Sequence, residues 1–268
     1  MDKLRVSLVQ MNTTDNLDEN LEYCYQSIQK AVDDGSNFIL FPEVFYYRSV
    51  SLSKKVEPLD GPIVQALRQK AKENKVAILA GSIYEPIEGS KKVYNTSILI
   101  DEYGEITGIY RKIHLFNVNL NGTRIIESLV FEAGEKPVIG TCFGLKIGMS
   151  ICYDLRFPEL FRHYSKEGVE LMVCPASFTF PTGEAHWEAL CRARAIENQC
   201  FFLAPNQTGI GAGKIASFGT SLIVDPWGTV LSKASTDKSE TITSDLDLET
   251  LRRRRKETPF LKHRTIGL

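Results

Sequence analysis

The spacing of apolar residues switches repeatedly between strand and helix periodicity along the chain. Residues 5–10 alternate apolar and polar side chains, which predicts a short strand, and residues 17–32 place apolar side chains at helical spacing. The order recurs with an apolar run over 38–41, a helix over 63–74 and a second apolar run over 76–83. Strands that alternate with helices are typical of α/β folds.

The middle of the chain departs from this alternation. Residues 94–100 and 106–110 predict a β-hairpin whose turn contains Gly104. The long stretch 114–136 shows no periodicity, and we expect it to be irregular and to contribute substrate contacts. The remaining predicted elements are strands over 145–151, 171–175, 201–205, 221–224, 229–231 and 240–246, and helices over 158–167, 187–199 and from the cap Asp247 to Arg255.

Length and composition predict one globular domain spanning residues 1–268, in which 43% of residues are hydrophobic and 24% charged. The 32 basic and 33 acidic residues leave a net charge of −1, so neither nucleic acid nor an anionic membrane is an expected partner. We find neither a signal peptide nor an apolar run long enough for a membrane helix, and we expect a cytoplasmic protein. A small molecule is the expected ligand.

Six cysteines lie without CxxC pairs, which predicts a reducing compartment and neither a zinc site nor a disulfide framework. One of them, Cys152, stands where a strand ends and a helix is about to begin. A nucleophile at such a turn is exposed next to free amide N–H groups that could bind an oxyanion. The alternative is an inert cysteine of the core.

A catalytic cysteine needs a base or a nearby cation, because its thiol is mostly protonated at neutral pH. A Cys–His pair stays open, although the histidines lack an obvious matching partner; they are His114, His163, His186 and His263. Glu43 and Lys112 each follow an apolar strand, where partial desolvation suits a base and an oxyanion stabiliser. They could instead be solvated strand ends.

Three segments resemble the signature blocks of the nitrilase superfamily of carbon–nitrogen hydrolases, in the same order. They are Phe41-Pro42-Glu43, Tyr110-Arg111-Lys112-Ile113-His114-Leu115 and the segment from Ile151 to Leu160. Later segments resemble the Nit branch of that superfamily, whose members include the ω-amidase and the amidase of deaminated glutathione; these are 174–178, 185–188, 192–199 and 224–228.

The resemblance implies that Cys152 is the nucleophile, that Glu43 is its general base, and that Lys112 stabilises the oxyanion together with the Tyr153 backbone N–H. Attack on the amide expels ammonia and leaves a thioester, which water then hydrolyses without a metal or cofactor. Glu127 fits the position of an additional glutamate that helps to hold substrate and base.

Some assignments within this scheme leave alternatives. Glu132 and Glu135 lie near Glu127 and could take its place. The substrate-binding residues expected beside the nucleophile are Tyr153, Phe178 and Thr179.

The resemblance also implies an α/β fold built as a four-layer α-β-β-α sandwich that pairs into a homodimer through a helical face. The substrates would be water and a small carboxylated α-keto amide. Deaminated glutathione is favoured, with α-ketoglutaramate as the alternative. Nitrile or carbamoyl hydrolysis, and a catalytically silent interaction module on the same fold, stay open.

Three structural expectations concern residues around these blocks. Asp154 and Arg156 are expected to form an ion pair that shapes the nucleophile turn. Trp187 and Trp227 are expected to pack rather than to bind substrate. The basic run 252–256 is expected to form a helix face that is solvated or contacts a second subunit.

Overall fold

A computed structural model describes residues 2–49, 55–120, 123–211 and 216–266 of the chain. The strands in chain order are β1 (Lys3–Gln10), β2 (Phe38–Leu40), β3 (Ala77–Pro86), β4 (Val93–Ile100), β5 (Ile106–Arg111), β6 (Asn117–Leu120), β7 (Thr123–Ile126), β8 (Ile139–Cys142), β9 (Leu145–Met149), β10 (Leu171–Val173), β11 (Phe201–Ala204), β12 (Thr208–Ile210), β13 (Ala216–Phe218), β14 (Leu222–Val224), β15 (Val230–Lys233) and β16 (Glu240–Asp247). The α-helices are α1 (Leu17–Asp33), α2 (Pro62–Asn74), α3 (Pro158–Lys166), α4 (Phe180–Asn198) and α5 (Leu248–Glu257). Short 3₁₀ helices cover Glu127–Leu129, Cys152–Arg156 and Phe260–His263.

Two six-stranded sheets carry most of these strands. Their spatial orders are β16-β1-β2-β3-β4-β5 and β15-β14-β11-β10-β9-β8. In the first sheet β1, β2 and β3 run parallel, and in the second β9, β10 and β11 do. Parallel neighbours end at the same edge of a sheet, so the residues that follow them are brought together.

The sheets face each other, and helices cover their outer faces. On the first sheet, Ile39 and Ile78 share a hydrophobic cluster with Leu67 of α2. Its opposite face meets the second sheet, where a side chain at Gly108 would lie 2.6 Å from the Met149 sulfur. The outer face of the second sheet packs on α3, since a side chain at Gly148 would lie 2.8 Å from the Tyr164 ring. The expected four-layer α-β-β-α arrangement is confirmed.

Local signals placed most elements within a few residues of their observed ends. The predicted hairpin is β4 and β5, with Gly104 at a φ of +81°, a left-handed value that favours glycine. Asp247 caps α5 by accepting a hydrogen bond of 2.9 Å from the Thr250 backbone N–H.

Two predictions about secondary structure were wrong. Helix α4 begins at Phe180 rather than at 187. Its first turn contains Pro181, Thr182 and Gly183, which are weak helix formers, so the sequence did not indicate this earlier start. Any side chain at Gly183 would overlap that of Phe218. The stretch 114–136 contains the antiparallel pair β6 and β7 and a 3₁₀ helix; strands of four residues are too short to show periodicity.

The predicted packing of the tryptophans holds for Trp187, which is buried and donates from its indole N–H to the Thr220 carbonyl at 2.7 Å. Trp227 is 52% exposed, with the Arg254 guanidinium 4.5 Å from its ring centre. The basic run is only partly solvated, since Arg255 donates to the carbonyl of Gln199 at 2.7 Å. Among the described residues, no helix is long and apolar enough to cross a membrane.

Candidate active site

Both sheets contribute strand ends to one site. Glu43 follows β2, Lys112 follows β5 directly, and Cys152 begins the 3₁₀ helix after β9. Ser177 follows β10, the parallel neighbour of β9. The site therefore lies where the ends of the two facing sheets meet.

Glu43 is held through both of its carboxylate oxygens and is only 4% exposed. Its Oε1 accepts hydrogen bonds from Lys112 Nζ at 3.0 Å and from Asn95 Nδ2 at 2.8 Å. Its Oε2 accepts one from the Ser177 backbone N–H at 2.8 Å. A carboxylate oxygen has two lone pairs, so Oε2 keeps one with which to take a proton.

Lys112 bridges two carboxylates, because its Nζ lies 3.0 Å from Glu127 Oε1 as well as from Glu43. Burial to 1% exposure by itself lowers the pKa of Lys112, but attraction by Glu127 and Glu43 outweighs it and raises that pKa well above its usual range. Burial raises the pKa of Glu127 against the opposing effect of Lys112. Glu127 Oε2 is held by the Phe116 backbone N–H at 2.7 Å. The lysine is thus a fixed cation.

The two other glutamates considered for this position lie elsewhere. Glu132 is exposed and pairs with Lys92 at 3.2 Å, and Glu135 is exposed. Of Glu127, Glu132 and Glu135, which all lie within the described residues, Glu127 is the one that contacts the Lys112 ammonium.

Cys152 has a strained backbone and a neutral resting thiol. Its φ of +47° lies in the left-handed region, as does the φ of +52° at Val44 beside Glu43. Such conformations cost about 1–3 kcal/mol each and concentrate at functional sites. Burial, and next the negative charge of Glu43, raise the pKa of Cys152 well above the ordinary thiol value, while Lys112 acts in the opposite direction. The thiol therefore needs a base to become a nucleophile.

The turn that carries Cys152 is anchored by the fully buried Asp154. Its carboxylate accepts hydrogen bonds from the Tyr110 hydroxyl at 2.7 Å and the Ile151 backbone N–H at 2.8 Å, and it contacts His114 Nδ1 at 2.7 Å. His114 thus has a partner that the sequence did not reveal, and that partner is not Cys152.

The expected ion pair between Asp154 and Arg156 was wrong. Asp154 points into the core, whereas the Arg156 guanidinium lies 5.1 Å from the centre of the Phe178 ring and contacts His186 at 3.3 Å.

Replacing Asp154 by asparagine should destabilise the protein by about 2–3 kcal/mol, since charge-assisted hydrogen bonds are lost in a buried setting. The urea unfolding midpoint measures this, and amide turnover should fall because the nucleophile turn loosens. Asp225→Asn is the matched control, since Asp225 accepts two backbone N–H bonds in an exposed turn. Equal midpoints for Asp154→Asn and the wild type would contradict the anchoring role.

A cavity of about 180 Å³ opens in front of Glu43 and Cys152. The three expected substrate-binding residues, Tyr153, Phe178 and Thr179, line it. The Tyr153 and Phe116 rings pack edge to face with their centres 4.9 Å apart, so one wall is aromatic. Within the described part of the chain, no three His, Cys, Asp or Glu side chains are grouped to hold a metal ion.

Several groups at this site were not predicted from the sequence. Asn95 and the Ser177 backbone N–H fix Glu43, and Arg48 lines the cavity wall. Ser177 lies within a segment that carries the family resemblance, which was its only signal. Asn95 and Arg48 had none, because their contacts join distant parts of the chain.

Comparison with known proteins identifies the class to which this fold and site belong. The sequence profile described as "Carbon-nitrogen hydrolase" matches residues 5–256, and the chain belongs to that family. It is a carbon–nitrogen hydrolase that acts on a small-molecule amide and water.

The individual relatives include two amidases and a solved structure of the nitrilase superfamily. The chain is 36% identical to the deaminated glutathione amidase of Dictyostelium discoideum, over 100% of this chain and 96% of the relative. It is also 36% identical to omega-amidase NIT2 of Xenopus tropicalis, over 98% and 96%. Among solved structures, Saccharomyces cerevisiae Nit3, a member of branch 10 of the nitrilase superfamily, superposes with a TM-score of 0.87 at 29% identity, covering 99% of this chain and 97% of that one.

Proposed function

We propose that Cys152, Glu43 and Lys112 carry out amide hydrolysis. The observation that carries this proposal is the Lys112 ammonium held 3.0 Å from both Glu43 and Glu127, beside the cavity that Cys152 lines. A fixed cation next to a desolvated thiol and a carboxylate with a spare lone pair matches the needs of acyl transfer.

In the first half-reaction Glu43 takes the thiol proton as the Cys152 sulfur attacks the amide carbon. The oxygen of the tetrahedral intermediate receives the negative charge, which Lys112 and the Tyr153 backbone N–H stabilise. Glu43 then returns the proton to the departing nitrogen, the C–N bond breaks, and an acyl thioester remains. An unsubstituted amide releases ammonia, and a substituted amide releases an amine.

In the second half-reaction Glu43 takes a proton from water, whose oxygen attacks the thioester carbon. The C–S bond breaks, the acid leaves, and the proton returns to the sulfur. Glu127 holds Lys112 in place through both steps, since the Phe116 N–H fixes its second oxygen.

We propose a small carboxylated α-keto amide as substrate, with deaminated glutathione favoured and α-ketoglutaramate as the alternative. The names of the two relatives support this class. Both compounds carry the same α-keto dicarboxylic acyl group and differ in the nitrogen group that leaves. Tyr153, Phe178 and Thr179 are the proposed contacts to the substrate, because they line the cavity.

The test is release of the keto acid from deaminated glutathione and α-ketoglutaramate, and of ammonia from a simple nitrile and a carbamoyl compound. We expect turnover of at least one keto amide, and the substrate with the higher kcat/KM identifies the preferred leaving group. Turnover of the nitrile alone would replace the amidase proposal. Absence of any turnover, with Cys152 no more reactive than the other cysteines, would favour a silent interaction module.

We further propose that residues 1–268 act as a single cytoplasmic domain and pair into a homodimer. The family profile, which spans residues 5–256, supports the single domain. The family resemblance supports the homodimer. The unpaired cysteines support the cytoplasmic location, because disulfides are rare in a reducing compartment.

A further inference from the structure

Arg48 is a buried cation on the cavity wall, only 8% exposed. Within the described part of the chain, its hydrogen-bond partners are neutral oxygens: the carbonyls of Thr13 at 3.0 Å and Thr208 at 3.5 Å, Asn12 Oδ1 at 2.9 Å, Ser177 Oγ at 3.2 Å and Ser217 Oγ at 2.9 Å. Among the described residues no carboxylate pairs with it, and the remaining residues of the sequence include neither Asp nor Glu.

Burial lowers the pKa of Arg48 to about 10, against the opposing effects of Tyr84 and Glu43, so it stays charged at neutral pH. A buried charge that forms no ion pair is costly and is retained where it has a use.

The charges around the cavity do not balance. Lys112 forms ion pairs with Glu43 and Glu127, which line the cavity, whereas Arg48 and Arg156 line it without a paired carboxylate of their own among the described residues. Three cations against two carboxylates leave a net positive charge when Cys152 is a neutral thiol. An anionic substrate would supply the missing charge.

We propose that Arg48, Ser177 and Ser217 form a subsite that binds the carboxylate of the substrate's acyl group. The two serine oxygens lie 3.3 Å apart and both accept from the same guanidinium nitrogen, Nη1. One hydroxyl donates to the other in this contact, so the pair presents one free O–H, which the adjacent guanidinium polarises. A carboxylate that takes the place of this contact would receive both O–H groups, one on each oxygen, with Arg48 acting through them as a positioning residue.

The place of Ser177 determines what this subsite can recognise. Its backbone N–H binds Glu43 Oε2 at 2.8 Å, while its side chain contacts Arg48. Ser177 alone would therefore separate the bound carboxylate from Glu43, the proposed general base. The scissile amide and the anionic group must then belong to one short acyl chain. This rests on the proposed function, and it applies to both candidate substrates, because they share one acyl group.

The experiment compares glutaramate with valeramide, in which a methyl group replaces the carboxylate. Ser217→Ala removes a hydrogen bond to the carboxylate, and Arg48→Gln removes the cation that positions both serines, so each should lower kcat/KM for glutaramate by roughly ten- to a hundredfold. Valeramide turnover should change less than about threefold, since it makes none of these hydrogen bonds. Arg68→Gln is the control, since Arg68 bonds Gly104 and Glu105 away from the cavity.

Equal losses for the two amides would show that Arg48 only braces the surrounding loops, and would overturn the subsite. Ser217→Ala keeps the test decisive if Arg48→Gln does not fold. Calorimetric titration with glutarate separates this inference from the amidase proposal. If the wild type hydrolyses no amide but binds glutarate in an Arg48-dependent manner, the subsite stands and the activity fails; if glutarate does not bind, the subsite fails.

Discussion

Cys152→Ala should abolish amide hydrolysis and leave the fold intact. We expect kcat to fall by roughly 10⁴-fold or more, as for other catalytic nucleophiles, because alanine cannot form the thioester. The unfolding free energy should change by about 1 kcal/mol, since only the sulfur atom is removed from a buried position. Steady-state release of the acid product and a urea unfolding curve measure the two effects.

The matched control is Cys24→Ala, which removes a buried sulfur from α1, in the hydrophobic cluster that contains Ile39, Ile78 and Leu67. It should cost similar stability and leave kcat unchanged. Retention of most activity in Cys152→Ala would remove the cysteine mechanism altogether.

Thiol labelling gives a second readout of the same site. All six cysteines lie within the described ranges, and of these Cys152 lines the cavity. Iodoacetamide should therefore modify Cys152 first. Because burial raises the pKa of this thiol, the labelling rate should keep increasing into the alkaline range.

Lys112→Met should damage both catalysis and stability. Loss of the cation proposed to stabilise the oxyanion should lower kcat by about 10²–10³-fold. It also leaves Glu43 and Glu127 buried without their shared partner, and breaking a buried ion pair in this way costs about 3–5 kcal/mol. Steady-state kinetics of amide hydrolysis measure kcat, and urea unfolding curves at two pH values measure the unfolding free energy.

The pH dependence of the variant has a definite sign. Without Lys112 the folded-state pKa of Glu127 should rise further above that of the unfolded chain, because burial already raises it and the opposing effect of Lys112 is lost, so the folded variant binds more protons. Its stability should therefore fall as pH rises through the folded pKa of Glu127, and the deficit against the wild type should be smaller at low pH. The pKa of Cys152 should also rise, because Lys112 lowers it.

Lys92→Met is the control for this variant, since Lys92 forms an ion pair of 3.2 Å with Glu132 at the surface and is 40% exposed. It should cost less than about 1 kcal/mol and leave turnover unchanged. Equal effects of the two substitutions would mean that the bridge at Lys112 is no more than an ordinary ion pair.

The amino-acid sequence by itself determined the order of strands and helices and the residues at the strand ends. Apolar periodicity and caps are local signals, so they located α1, α2 and the hairpin of β4 and β5 closely. Glu43, Lys112 and Cys152 could be proposed together because each follows a strand and because ordered motifs resemble one family.

Only the tertiary structure decided which of these residues meet and what surrounds them. Arg48 contacts Ser217, and Asp154 contacts His114, although the partners lie far apart in the chain, and no local pattern encodes such contacts. The same holds for the start of α4, where Gly183 accommodates the Phe218 side chain. The physical reason is that periodicity records which face of an element is buried, whereas the burial and charge of a site depend on elements far apart in the chain.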